Sequence, residues 1–383
     1  MNLTKPLKFS ESYDPVIKNG WRSVGAGGGG ALFHPKISPF DKNTWMICCD
    51  MSETYITYDG GKHWRMLHLN GMVNDIAYHP QNSDIIYAGT FAMYKSFDKG
   101  LTWDLILPIP GADGVVAPDK IIGRVQKIHI DRKNPESIYV GYHTHVFGHQ
   151  DKGTLKLVYS LDGGSSWTNP IDAEGFDFRY IDMSEGTDGR VLSVFTDKGF
   201  YRLSDNDLIK QPKPGGDCKW PISHATAGID SKTGFTVFYV TQGVSGHGGG
   251  MWSDENGLMS AVFRSFDAGD TWKRLPDIDM DFPDKTISQR TIKDLVVSYN
   301  HPEHIYASVW RRPLILPSAN VPGAFYDKTL RHPLAGKDMG PVNRMGIISS
   351  DDNGDTWNWS VAIDLKSPEN ASIGWYENAY YVD

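Results

Sequence analysis

The sequence predicts an all-β chain built from repeated four-stranded antiparallel units, and three observations carry that reading. One phrase, Ser/Thr-x-Asp-x-Gly-x-x-Trp, occurs five times, at Thr57–Trp64, Ser96–Trp103, Ser160–Trp167, Ser265–Trp272 and Ser350–Trp357. Recurrence on this scale means stacked copies of one supersecondary unit. A second phrase precedes it: Asp75-Ile-Ala-Tyr78 with Asp84-Ile-Ile-Tyr-Ala-Gly89 recurs around Ile128–Asp131 with Ser137–Gly141, and around Asp294–Ser298 with His304–Ser308. Each instance reads as two strands joined by a turn rich in Asn, Asp and Pro. Composition agrees, with 12 Trp, 18 Tyr and 40 Gly in 383 residues and 22% charged residues, as expected of a turn-rich globular β protein.

The repeated phrase has its own mechanics. The Asp carboxylate accepts backbone N–H groups in a tight turn, and Gly two positions later takes positive φ. β-branched and aromatic neighbours mark strands on either side. The Trp offers an apolar plate to pack between adjacent units. These residues resemble the Asp-box, or BNR, repeat of sialidase-like β-propellers, and the resemblance implies an Asp-box β-propeller of four-stranded antiparallel blades.

A propeller of this length forms one domain, here residues 1–383. The box aspartates lie 39, 64, 105 and 85 residues apart. A four-stranded blade takes about 40–50 residues, so the long intervals imply large loops or a blade without a box. One such blade is visible at Phe176–Asp205, with strands at Arg190–Phe195 and Gly199–Leu203 around a turn at Asp197–Gly199. Six units show their first three strands. A seventh is represented only by a candidate first strand in Gly374–Asp383, with Gly20–Val24 as a candidate outer strand closing the ring. We expect seven blades, and the missing strands imply a fragment or first propeller of a longer chain.

Several function classes are excluded. The net charge of −8 is spread without basic runs, so nucleic acid and anionic lipid are not expected partners. No apolar stretch approaches the roughly 18 residues of a membrane span. Cys48, Cys49 and Cys218 form neither a disulfide framework nor a metal spacing. Met1-Asn-Leu-Thr-Lys5 is not a signal peptide; a secreted or periplasmic location implies that the signal was removed. Gly27–Gly30 lacks the Lys-Ser/Thr of a phosphate loop. The Phe/Tyr-Arg-Ile/Leu-Pro phrase that announces the arginine triad of true sialidases is also lacking. No cofactor is expected.

Strand order assigns the chemistry to one rim. Turns between first and second strands share a rim with the box turns, which makes the box aspartates structural. Loops after the second strands share the other rim with the connections between blades, where strand ends converge on a cavity. There, Trp21 with the glycine run, the segment Asp50-Met-Ser-Glu-Thr-Tyr-Ile-Thr57 and the first box resemble the opening of the xyloglucanases, glycoside hydrolase family 74. The resemblance implies an inverting hydrolase acting on a β-linked plant or algal polysaccharide, with Asp50 as general base. It also implies a second propeller facing the first, and it makes Asp383 the counterpart of the general acid. Cys49 stands where that family has Thr, and Ser52-Glu53 where it has Gly-Gly. Inverting hydrolysis needs two carboxyls about 6.5–9.5 Å apart, one protonated and one ionised.

The third such loop, Tyr142-His-Thr-His-Val-Phe-Gly-His149, puts His143 and His145 on one face of an extended segment. The cluster suits zinc, acid–base chemistry or a carboxylated sugar, against the plainer reading of rim histidines bonded to solvent and loop backbone; no metal site is assigned. Substrate-binding candidates are Trp21, Tyr142, His247, Trp252, Trp310, Arg311 and Trp375. A second enzyme reading is a polysaccharide lyase, in which Arg311 or Arg312 neutralises a uronate while His143, His145 or Tyr142 removes the C5 proton. A third is a non-catalytic propeller that binds sugar or protein through exposed aromatics.

Overall fold

The computed structural model describes residues 32–49, 53–69, 71–111, 122–144, 153–216, 220–243, 260–276, 290–311 and 344–364. These form six four-stranded antiparallel sheets, each built from four consecutive strands. Blade 1 comprises β1 (Leu32–Ile37), β2 (Trp45–Cys49), β3 (Thr54–Thr57) and β4 (Arg65–Leu67). Blade 2 comprises β5 (Asp75–Tyr78), β6 (Ile86–Gly89), β7 (Met93–Ser96) and β8 (Asp104–Leu107). Blade 3 comprises β9 (Arg124–Ile130), β10 (Ile138–His143), β11 (Leu155–Ser160) and β12 (Ile171–Ala173). Blade 4 comprises β13 (Phe178–Gly186), β14 (Gly189–Thr196), β15 (Phe200–Ser204) and β16 (Asp207–Gln211). Blade 5 comprises β17 (Ile222–Ile229), β18 (Thr236–Gly243), β19 (Ser260–Ser265) and β20 (Lys273–Arg274). Blade 6 comprises β21 (Arg290–Val297), β22 (Ile305–Arg311), β23 (Arg344–Ser350) and β24 (Asn358–Asp364).

The first strands of successive blades pack side by side, β1 on β5 and so on to β21, as the inner wall of a β-propeller. The count corrects the expectation of seven blades: six are present among the described residues, and all twenty-four strands belong to them. The sequence count overshot because it gave a whole unit to one candidate strand. Each blade also supplies its own outer strand, as blade 1 does with β4 immediately after Trp64. Gly374–Asp383 and Gly20–Val24 lie outside the described residues.

The core sits between blades rather than within them. Met46, Ile56 and Leu67 of blade 1 meet Ile76 and Ile86 of blade 2, with Trp103 packed against them. The same arrangement recurs at the next interfaces, where Trp167, Trp272 and Trp357 pack against clusters shared with the preceding blade. The repeated Trp is the interblade plate that the sequence implies.

The repeated turn is tied three ways. Its Ser hydroxyl donates to the Asp carboxylate and accepts the Gly amide N–H, as in Ser96 to Asp98 at 2.8 Å and Gly100 to Ser96 at 2.7 Å. The Asp accepts the amide and hydroxyl of the residue before Trp, 2.8 and 2.6 Å from Thr102 in the second blade. These bonds hold the Asp98 carboxyl at about 2. The turn also donates a backbone N–H to its own blade's first hairpin, from Gly60 to Asn43, Lys99 to Asp84, Gly163 to Glu136, Ala268 to Thr236 and Asn353 to Glu303. Finally, a cation of the preceding blade caps its carbonyls: Arg65 on Leu101, Lys95 on Gly163, Arg202 on Ala268 and Arg264 on Asn353. Blade 4 lacks the phrase and turns instead through Asp205-Asn206, both at positive φ, the signature of a two-residue hairpin.

Gly269 shows why the turn needs glycine. Its φ is +97°, and a Cβ there would lie 2.6 Å from the Phe200 ring of the preceding blade. Gly269→Ala is predicted to cost about 2–4 kcal/mol in urea unfolding, from left-handed strain plus overpacking. The exposed Gly189, whose Cβ would meet nothing within 4 Å, should lose only the conformational part.

Candidate functional site

Two regions present functional groups: the rim where second strands end, and the channel between first strands. β2, β10, β18 and β22 all end on that rim, at Cys49, His143, Gly243 and Arg311. Asp50 follows β2 directly in sequence but lies outside the described residues, as do Trp21, His145, His247, Trp252, Trp375 and Asp383. Trp310 and Arg311 close β22, paired in register with Thr291 and Arg290. His143 is buried at the end of β10, opposite Leu155 and Arg124. Tyr142 is 4% exposed and packs with Val125, Val140 and Met93 between blades 2 and 3. Burial pushes its phenol up to about 12. That is a packing position, with no free ring face for a sugar.

Near Asp50, Glu53 is a carboxylate that the sequence reading passed over. Its Oε2 is buried with no hydrogen-bond partner, and its Oε1 lies 3.7 Å from His68. An unpaired carboxylate oxygen three residues after Asp50 is an unusual expense of desolvation. Its position in the loop after β2, rather than any motif, is the signal that could have found it.

The channel was not anticipated. First strands β1, β9, β13, β17 and β21 each carry a β-bulge against their second strand. A bulge re-aims the side chains that follow it, and here charged groups face the axis. Lys36 lies 3.9 Å from Asp75, whose other oxygen accepts the Ile128 N–H at 2.8 Å. His224 lies 3.5 Å from Asp294. Arg124 and Arg179 approach Asp177 at 3.6 and 3.2 Å. Deeper, His129 Nε2 accepts the Met183 N–H at 3.1 Å, so the proton sits on Nδ1, 3.7 Å from Asp182. At the repeated-turn end, the Arg132 guanidinium lies 3.2 Å from the centre of the Tyr299 ring. Arg132 belongs to blade 3 and Tyr299 to blade 6, with two blades between them in the ring, so this cation–π contact crosses the axis.

Electrostatics in the channel follow desolvation. Burial pulls His129 down to about 3 and raises Asp182 and Asp294 to about 6. The His129 imidazole is therefore neutral near pH 7. Among the described residues no group of three or more His, Cys, Asp or Glu is placed to hold a metal ion, and no helix is long and apolar enough to cross a membrane.

Neither a protein-family model nor a curated protein sequence matches this chain. The fold has counterparts among solved structures. One is described as an ancestral family 74 glycoside hydrolase, with TM-score 0.55 and 15% identity, covering 89% of this chain and 39% of that one. Another is the family 74 xyloglucanase of Xanthomonas campestris, with TM-score 0.54 and 18% identity, covering 89% and 46%. The chain thus spans less than half the length of either. At such identities the likeness establishes the β-propeller fold.

Asp182 offers a test of the channel electrostatics. Its side chain is 4% exposed and its Oδ2 has no hydrogen-bond partner. Because its folded pKa is raised from 3.8 to about 6, stability is lost as pH climbs through that window. Asp182→Asn is predicted to stabilise the protein at pH 7 by on the order of 2–3 kcal/mol, and to change it little at pH 4, in thermal melts at the two pH values.

Proposed function

We propose that this chain is an Asp-box propeller of the sialidase-like type whose function is carbohydrate hydrolysis: a glycoside hydrolase cleaving a β-linked plant or algal polysaccharide in the manner of a xyloglucanase. The observation that carries the reading is the place of Asp50. In a chain whose fold matches two family 74 structures, it is the residue that follows in sequence the last residue of β2, the second strand of the first blade. In this reading Asp50 activates water as general base, and the acid is Asp383 or a carboxyl from a facing propeller. Residues 1–383 form one propeller domain, exported from the cell and working on a polysaccharide, with Trp310 and Arg311 on the substrate rim. Glu53, close in sequence and with its Oε2 lacking a hydrogen-bond partner, joins Asp50 as a second carboxyl in this reading.

The experiment is a panel of xyloglucan, mixed-linkage glucan and uronate-containing polymers assayed for new reducing ends and for ultraviolet absorbance. Hydrolysis gives reducing ends without absorbance, and Asp50→Ala is expected to reduce the rate by about 10³-fold or more, the scale of losing an essential base. Absorbance near about 235 nm, the region of an unsaturated uronate formed by base-promoted elimination, that is insensitive to Asp50→Ala would replace hydrolysis with a lyase reaction. Silence on every polymer would leave a binding propeller.

A further inference from the structure

Three departures from the repeat coincide where blade 3 meets blade 4. The turn of blade 4 carries no Trp, so the cluster between these blades lacks the indole plate that Trp103, Trp167, Trp272 and Trp357 bring to theirs. In blades 1, 2, 5 and 6 the outer strand begins at the residue after the repeated Trp, whereas in blade 3 it begins only at Ile171, after an inserted Thr168-Asn169-Pro170. Finally, Tyr159 precedes Ser160 where Lys95 precedes Ser96 and Arg264 precedes Ser265. Those cations cap the next blade's turn at the Gly163 and Asn353 carbonyls. Tyr159 reaches the next blade's turn with its hydroxyl instead, donating to Asn206 Oδ1.

A missing plate leaves its space unfilled. A cleft of about 540 Å³ lies at this junction, with Tyr159, Asn169, Pro170 and Asp172 of blade 3 on one side and Asn206 and Asp207 of blade 4 on the other. That volume is in the range of about 300–1,000 Å³ typical of ligand pockets. The blade 3 wall is held in place: the Tyr159 N–H donates to Thr168 Oγ1 at 3.1 Å, the Thr168 N–H returns to the Tyr159 carbonyl at 3.0 Å, and the Tyr159 ring rests 5.6 Å from that of Tyr139. The cleft opens at the repeated-turn end of the blades, the end opposite the loops that follow the second strands.

Its chemistry is an aromatic ring beside planar acceptors. Lys156 engages one oxygen of Asp172, the Leu208 N–H engages one oxygen of Asp207 at 2.8 Å, and among the described residues the second oxygen of each has no hydrogen-bond partner. Asn169, Asp172, Asn206 and Asp207 are all exposed. An anion would meet two carboxylates here, and the one nearby cation is already paired to Asp172. A fixed cation is a poorer match than a neutral polyol, because Lys156 cancels half of the carboxylate charge. A sugar ring supplies both things the cleft can use: an apolar C–H face for the tyrosine and hydroxyl donors for carboxylate and amide oxygens.

We propose that the cleft between blades 3 and 4 is a binding site for a neutral sugar unit of a polysaccharide, with Tyr159 as its platform and Asn169, Asp172 and Asp207 as hydroxyl partners. Only the choice of glucans as probes rests on the hydrolase reading; the site itself needs neither Asp50 nor Asp383.

Native gel electrophoresis of the full chain through xyloglucan, mixed-linkage glucan or galactomannan tests the site, with tetralysine titrated calorimetrically as the cationic alternative. The variants are Tyr159→Ala, Tyr159→Phe, Asn169→Ala and Asp50→Ala, with thermal melts to establish folding. At least one neutral polysaccharide is expected to retard the parent, Tyr159→Phe and Asp50→Ala alike. Tyr159→Ala should weaken that affinity about tenfold or more, the scale of losing one well-made contact, and Asn169→Ala should weaken it in the same direction. The proposal is overturned if no polysaccharide retards the parent, if folded Tyr159→Ala and Asn169→Ala bind unchanged, or if tetralysine alone binds in a Tyr159-dependent way. Retardation that depends on Tyr159 in a protein releasing no reducing ends would keep the cleft and remove the hydrolase reading, so the two fail separately.

Discussion

The repeated turn is the constraint on which the rest of the molecule depends. Its Asp is consumed by bonds within the turn, its Gly lets the backbone approach the preceding blade, and its Trp fills the wedge between the two. Each turn therefore does three jobs with one residue apiece, and a sheet with exposed faces becomes a blade with buried ones. The carboxylates held low by turn bonds are spent on architecture and are not available for catalysis. Blade 1 shows the same logic by default. Its Trp64 meets Trp45 edge to face at 6.4 Å, and its indole Nε1 is buried without a partner.

Fixing the blades from outside leaves the first strands free to carry polar groups. Their hydrophobic residues enter the interblade clusters, Val125, Ile181 and Leu295 among them, while Asp75, His129 and Asp294 approach polar groups of a neighbouring first strand. The bulges make that possible within a continuous sheet. The channel is consequently the place where desolvation dominates titration, with a neutral histidine and raised carboxyls side by side. The rim is chemically different: there the second strands end and loops begin, and Glu53 and His143 sit at those ends.

Much of this was legible in the sequence. The repeated phrase located five of the six turns between third and fourth strands, the Asp197–Gly199 turn located the blade without a phrase, and the role of the Trp followed from its size. The blade count failed because a single terminal strand cannot reveal whether a sheet forms around it. Tyr142 looked like a platform because it precedes a histidine-rich loop, yet strand alternation turns it inward. The channel was hidden for a different reason. In Arg124-Val-Gln-Lys-Ile-His-Ile130 the bulge displaces the alternation by one residue, so strict alternation does not separate buried from polar positions along the strand. A charged residue recurring in the innermost strands, as in Asp75, Lys127, Asp182 and Asp294, is the signal that would have exposed it.

Native-state hydrogen exchange at the turn glycines is the most direct measurement on the claim that these turns hold the ring together. The amides of Gly100, Gly164, Gly269 and Gly354, each bonded to a Ser hydroxyl at 2.7–2.8 Å, should exchange only with global unfolding, as slowly as the central strands. Exchange at the rate of exposed loop amides, with the strands still protected, would contradict the account and return the turns to the role of surface decoration.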